Sequence, residues 1–90
     1  LDIYLEEGPD LFQRLSRALD NSDLDKAVSL AHSLANAART IRAKSLENVC
    51  VRLEETAKIG HRASTLALAG DLERELERTD QAVMAYLETL

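Results

Sequence analysis

Few side chains in this 90-residue chain are placed to do chemistry: His32, His61, Cys50, and the adjacent carboxylates Glu6 with Glu7 and Glu54 with Glu55. Neighbouring residues on a helix point about 100° apart, so neither carboxylate pair converges on one substrate as a general acid and base must. Cys50 has no second cysteine and no histidine at ligand spacing, and the two histidines are too far apart for a helix-borne metal pair, so no metal centre is expected. No Gly-rich phosphate loop, nucleophile elbow or nucleotide-binding signature is present, and the chain alone is not equipped to hold ATP. His32 remains. A neutral imidazole is a nitrogen nucleophile near pH 7 and is competent to take up a phosphoryl group.

The element that must carry it is a helix from Asp23 to Ile41. At about 100° per residue, Leu24, Ala27, Val28, Ala31, Leu34, Ala35 and Ala38 gather on one face and define the side turned to the core. His32 falls roughly 110° from the middle of that stripe, on a flank shared with Asp25, Ser29, Asn36 and, at its edge, Arg39. Its close neighbours Ser29, Ser33, Ala35 and Asn36 are small, so another macromolecule can approach the imidazole without displacing bulky groups. His61 lies just past Gly60 in a stretch without apolar periodicity and is expected to be an exposed part of a connection.

The run Ala31, His32, Ser33, Leu34, then Ala37, Ala38, Arg39 and Ala43, followed by Leu46, Cys50 and Leu53, resembles the phosphoacceptor region of histidine-containing phosphotransfer (HPt) domains, whose usual form is AHxLKGxAxxxGA followed by LxxLCxxLE. The stretch LEEGPDLFQRL is similar to the family's first helix, and Asp23 stands where its second helix often opens, so the likeness covers nearly the whole chain. Three positions depart from the pattern: Ala35 replaces the family lysine, Asn36 a glycine, and Arg42 the loop glycine. The resemblance implies a phosphorelay carrier in which His32 exchanges a phosphoryl group with the aspartate of a receiver domain, within or beside a hybrid sensor kinase. It implies no cofactor in this domain and Mg²⁺ on the partner receiver. Ser29, Ser33, Ala35 and Asn36 would then shape the docking surface, with Arg39 and Arg42 supplying positive charge in place of the family lysine. If missing charge limits transfer, Ala35→Lys is expected to raise it. Two other readings fit the same residues: a degenerate module that docks a receiver without efficient transfer, and a helical packing or dimerisation domain in which His32 has no role.

The whole chain reads as one all-α domain, residues 1–90, folded as an up-and-down four-helix bundle with a short amino-terminal helical extension. Aromatics make up 3% of it, so the core must come from Leu, Ala, Val and Ile, which suits close helix packing. Residues 1–7 suggest a short helix, then a kink at Gly8 and Pro9 and a longer helix bearing Leu11, Phe12, Leu15, Ala18 and Leu19. Asp20, Asn21, Ser22 and Asp23 form a polar turn in which Ser22 or Asp23 caps the second helix. Arg42 to Lys44 form the next, which is expected to differ from the family turn for want of its glycine. Leu46, Val49, Cys50, Leu53 and Ala57 stripe a third helix that stops at Gly60, with Cys50 as packing. Ala69, Leu72, Leu76, Thr79, Val83, Tyr86 and Leu90 give the fourth helix a bundle seam, in which the Thr79 hydroxyl can bond one turn back.

Eleven basic against 16 acidic residues leave a net charge of −5, which argues against nucleic acid as a partner. No apolar run approaches the length of a membrane span, so no membrane contact is expected for this segment. A start at Leu1 suggests a domain excised from a longer protein, and the lone cysteine fits a cytoplasmic setting.

Overall fold

A computed structural model of the chain describes the backbone of residues 2–90 and the side chains of residues 7–90. It forms four helices: α1 Asp2–Asp20, α2 Leu24–Thr40, α3 Lys44–Lys58 and α4 Arg62–Glu88. Packing follows the chain, α1 on α2, α2 on α3 and α3 on α4, in an antiparallel bundle of 43 × 19 × 18 Å.

The three connections are built alike. The N–H groups of Ser22, Arg42 and Gly60 each donate to a carbonyl three residues back at 3.1 Å. Those of Asp23, Ala43 and His61 donate five residues back, to Ala18, Ala38 and Thr56, at 2.8, 3.0 and 2.9 Å. This is the Schellman closure, which satisfies the last carbonyls of a helix by turning one residue left-handed. Ser22, Arg42 and Gly60 take that conformation, at φ 57°, 59° and 73°. Only glycine does so without steric cost, so the Arg42 turn forms in spite of its residue type.

The residue after each left-handed position stands at the N-cap of the next helix, and two of the three cap it with a side chain. Asp23 accepts from the Lys26 N–H at 3.2 Å, as expected. Ala43 has no side chain to offer. His61 is exposed, yet it is more than a connection: its Nδ1 accepts from the Ser64 N–H at 3.4 Å.

Two expectations need correction. The amino-terminal segment does not break at Pro9, because α1 is a single helix with the proline inside it. One backbone bond is forgone, and Gly8, lacking a Cβ, relieves the clash that a proline ring inflicts on the residue before it. The side chains of Leu1, Ile3, Tyr4 and Leu5 lie outside the described residues. The seam of α4 also closes only over its first half. Leu72 and Leu76 are buried and Ala69, Thr79 and Val83 half-buried, whereas Tyr86 and Leu90 are exposed. With 27 residues, α4 runs about 40 Å against about 25 Å for α2, so its last turns are only loosely covered, bordering open grooves shared with Thr40 and Ile41 at the end of α2 and with Gly8, Pro9 and Phe12 of α1.

Between these helices Leu15, Leu34, Leu46, Leu53 and Leu72 are fully buried, with Cys50 among them. Burial pushes the Cys50 thiol up from 9.0 to about 12, with the Glu47 carboxylate adding to the effect, which makes it inert packing as its position in the stripe predicts. The Thr65 hydroxyl, also buried, donates to the His61 carbonyl at 2.8 Å and lies 3.0 Å from the Thr56 hydroxyl. Thr79 bonds the Glu75 carbonyl at 2.8 Å as anticipated.

Candidate functional site

The outer surface of α2 is what its inner surface leaves over. Because α2 lies between α1 and α3, its buried arc is wider than one stripe: Leu30 and Ala37 join Ala27, Ala31, Leu34, Ala35 and Ala38, while Leu24 and Val28 are only half-covered. His32 stands beyond the edge of that arc, on the flank facing α3, with its side chain 63% exposed. Ser29, Ser33 and Asn36 are exposed around it, so the way to the ring is open as expected.

The ring does not dangle. His32 Nδ1 lies 3.0 Å from Oε1 of Glu54 on α3, whose carboxylate is largely covered at 14% exposure. A carboxylate can only accept, so the proton of this bond belongs to Nδ1, and the lone pair of the neutral ring is left on Nε2, turned to solvent. His61 has the opposite arrangement. Its Nδ1 is the acceptor of a backbone N–H, which places the ring proton on Nε2 and leaves no outward lone pair.

One register governs the α2–α3 face. Residue 32 lies opposite residue 54, and residue 39 opposite residue 47, where the Arg39 Nε donates to Glu47 at 2.7 Å. Arg39 is also 3.5 Å from the Asn36 side-chain oxygen. The guanidinium assigned to the phosphoryl group is therefore engaged elsewhere, and it lies about 10 Å along α2 from His32. Arg42 is exposed in the turn beyond the end of α2, further from the histidine than Arg39 along the chain. Ala35 is not exposed beside Ser29, Ser33 and Asn36: at 3% exposure it is core, not surface as expected. A lysine at this position has to thread its stem out of the core before its charge can count.

Lys58 is a residue that the sequence reading passed over. It sits one turn beyond Glu54 on α3, and its Nζ is 4.0 Å from Oε1 of Glu54, the oxygen that also receives the His32 proton. Glu54 has its role here singly, without its neighbour Glu55. Its signal is the glutamate that closes the form LxxLCxxLE, directly after Leu53.

Among the described residues no group of three His, Cys, Asp or Glu is placed to hold a metal ion, and no helix is long and apolar enough to cross a membrane. The fold class is an all-α bundle of four antiparallel helices. The Hpt domain family model matches residues 1–82, and the chain belongs to that family. It is accordingly a phosphorelay carrier of two-component signalling, a class of domain that works with receiver domains. Comparisons with curated proteins and with solved structures gave no match.

Proposed function

We infer that His32 is the phosphoacceptor, exchanging its phosphoryl group with the aspartate of a receiver domain. The observation that carries this is the bond from His32 Nδ1 to Glu54, which turns a lone pair on Nε2 to solvent over a surface of serines and an asparagine. On uptake, the Nε2 lone pair attacks the phosphorus of an aspartyl phosphate. The P–N bond forms as the P–O bond breaks, and that bonding pair leaves with the aspartate carboxylate. The Nδ1 proton stays in place throughout. The phosphorylated ring is then cationic, and the Glu54 carboxylate beside Nδ1 balances it. On release the P–N pair returns to Nε2 and the neutral ring is restored.

The bundle contributes position, since an imidazole fixed by a cross-helix bond presents its lone pair in line with the incoming phosphorus at little further entropic cost. Mg²⁺ held by the receiver would neutralise the phosphoryl oxygens during transfer.

Incubation with a receiver domain carrying a radiolabelled aspartyl phosphate tests the assignment. Label should pass to the wild-type domain and be absent from His32→Gln. Binding without label would favour a docking module that does not turn over, for which the buried Ala35 and the tethered Arg39 speak. Neither binding nor label would leave the histidine without a role.

A further inference from the structure

A phosphoryl group on Nε2 brings a doubly charged anion next to the Glu54 carboxylate, which is itself anionic and held 3.0 Å from the other ring nitrogen. Such a site needs a cation, and α2 does not supply one. Ala35 is buried, and Arg39 is bound to Glu47 and Asn36 two turns away. We propose that Lys58 of α3 is the electrostatic partner of the phosphoryl group, crossing from Glu54 to the phosphoryl oxygens when His32 is loaded. This assignment rests on His32 being the acceptor.

Two observations and the chemistry of the ammonium point to Lys58. Its Nζ and the His32 ring meet at a single oxygen, Oε1 of Glu54, at 4.0 and 3.0 Å. The Lys58 contact is at the outer limit of an ion pair and its side chain is 61% exposed, so little is lost when the ammonium moves. Arg39, by contrast, would have to give up a 2.7 Å bond. Finally, the ammonium is a compact charge on a four-carbon stem with three rotatable donors, suited to following a group that comes and goes. In the unloaded domain the same ammonium sits beside Glu54, whose Oε1 holds the ring. One cation thus attends both states, which a charge tethered like Arg39 cannot do.

Lys58 has a plainer occupation, as an i,i+4 partner of Glu54 and a basic residue in the last turn of α3. The experiment separates the two roles. Wild type, Lys58→Gln, Lys58→Arg and His32→Gln are loaded with phosphoramidate, and the rate of phosphohistidine formation is followed at low and high ionic strength, with urea midpoints measured in parallel. Lys58→Gln should load about three- to fivefold more slowly than wild type at low salt, the upper range for a partly exposed ion pair. Lys58→Arg should stay close to wild type, and the gap between wild type and Lys58→Gln should shrink as salt screens the charge. Equal loading of wild type and Lys58→Gln at low salt, or a salt-independent gap that tracks the urea midpoints, overturns the role of Lys58 while leaving His32 as acceptor. Loading of His32→Gln as fast as wild type, or no loading of wild type, removes the acceptor assignment and this one together.

Discussion

Removing the carboxylate behind the histidine tests the geometry most directly. Glu54→Ala deletes the acceptor that holds the Nδ1 proton, and Glu54→Gln keeps an acceptor oxygen while deleting its charge. A hydrogen bond to a charged group is worth about 1.5–3 kcal/mol in a covered setting. Here one partner is largely covered and the other 63% exposed, which brings the differential closer to ~1 kcal/mol, or about fivefold in rate. Glu54→Ala should therefore slow phosphoryl uptake about five- to tenfold: the charge is lost, and the ring is also free to rotate and exchange tautomers. Glu54→Gln should fall about two- to threefold, because orientation survives without the charge. The assay is the initial rate of uptake from phosphoramidate, with ³¹P NMR assigning the phosphorylated nitrogen. Uptake by Glu54→Ala at the wild-type rate, or wild-type phosphate found on Nδ1, would refute the reasoning.

Arg42→Gly is expected to stabilise the domain by about 0.5–1 kcal/mol, since it removes the cost of a left-handed non-glycine residue while surrendering part of that gain to unfolded-chain entropy; urea midpoints check it, with Arg42→Ala as a control that keeps the Cβ. Ala43→Asp should add about 0.5–1 kcal/mol by giving α3 the side-chain cap that Asp23 gives α2, again read from the urea midpoint. Ala35→Lys, suggested by the family pattern as a way to restore charge, is instead expected to lower stability by about 1–3 kcal/mol, as overpacking of a covered position does, and thermal unfolding measures it. The Cys50 thiol is an acid whose folded value is raised from 9.0 to about 12, so above pH 9 the unfolded chain releases a proton that the folded one keeps. Its contribution should be constant below that point and decline above it by at most ~1.4 kcal/mol per pH unit, a slope seen in urea midpoints from about pH 9 to about pH 10.5 and smaller in Cys50→Ala.

Much of this molecule can be read from periodicity, because a helix face is a local property. The span of α2, its cap at Asp23, the stop at Gly60, the packing role of Cys50 and the exposure of His32 all follow from spacings of three and four. What escaped is relational. Glu54 and Lys58 matter because residue 54 lies opposite residue 32, and that register is a property of two helices and the turn between them. The burial of Leu30 and Ala37 likewise needs the knowledge that α2 has a neighbour on either side. Tyr86 and Leu90 follow the seam pattern of α4 faithfully but run out of partners, a matter of relative helix length that periodicity does not register. Pro9 misled in the other direction, as a strong local breaker overridden once Gly8 precedes it.

The turn at residues 41–43 has no slack: three backbone bonds, from the N–H groups of Arg42, Ala43 and Lys44, and one left-handed residue join α2 to α3 with no spare linker. Changes of side chain there are absorbed as small costs in stability. A change of length is another matter, since one inserted residue would swing the start of α3 by about 100° and carry Glu54 and Lys58 away from a histidine that had not itself been touched. The chemistry of the acceptor is in this sense indexed by a hairpin ten residues downstream, tolerant of spelling but not of an added letter.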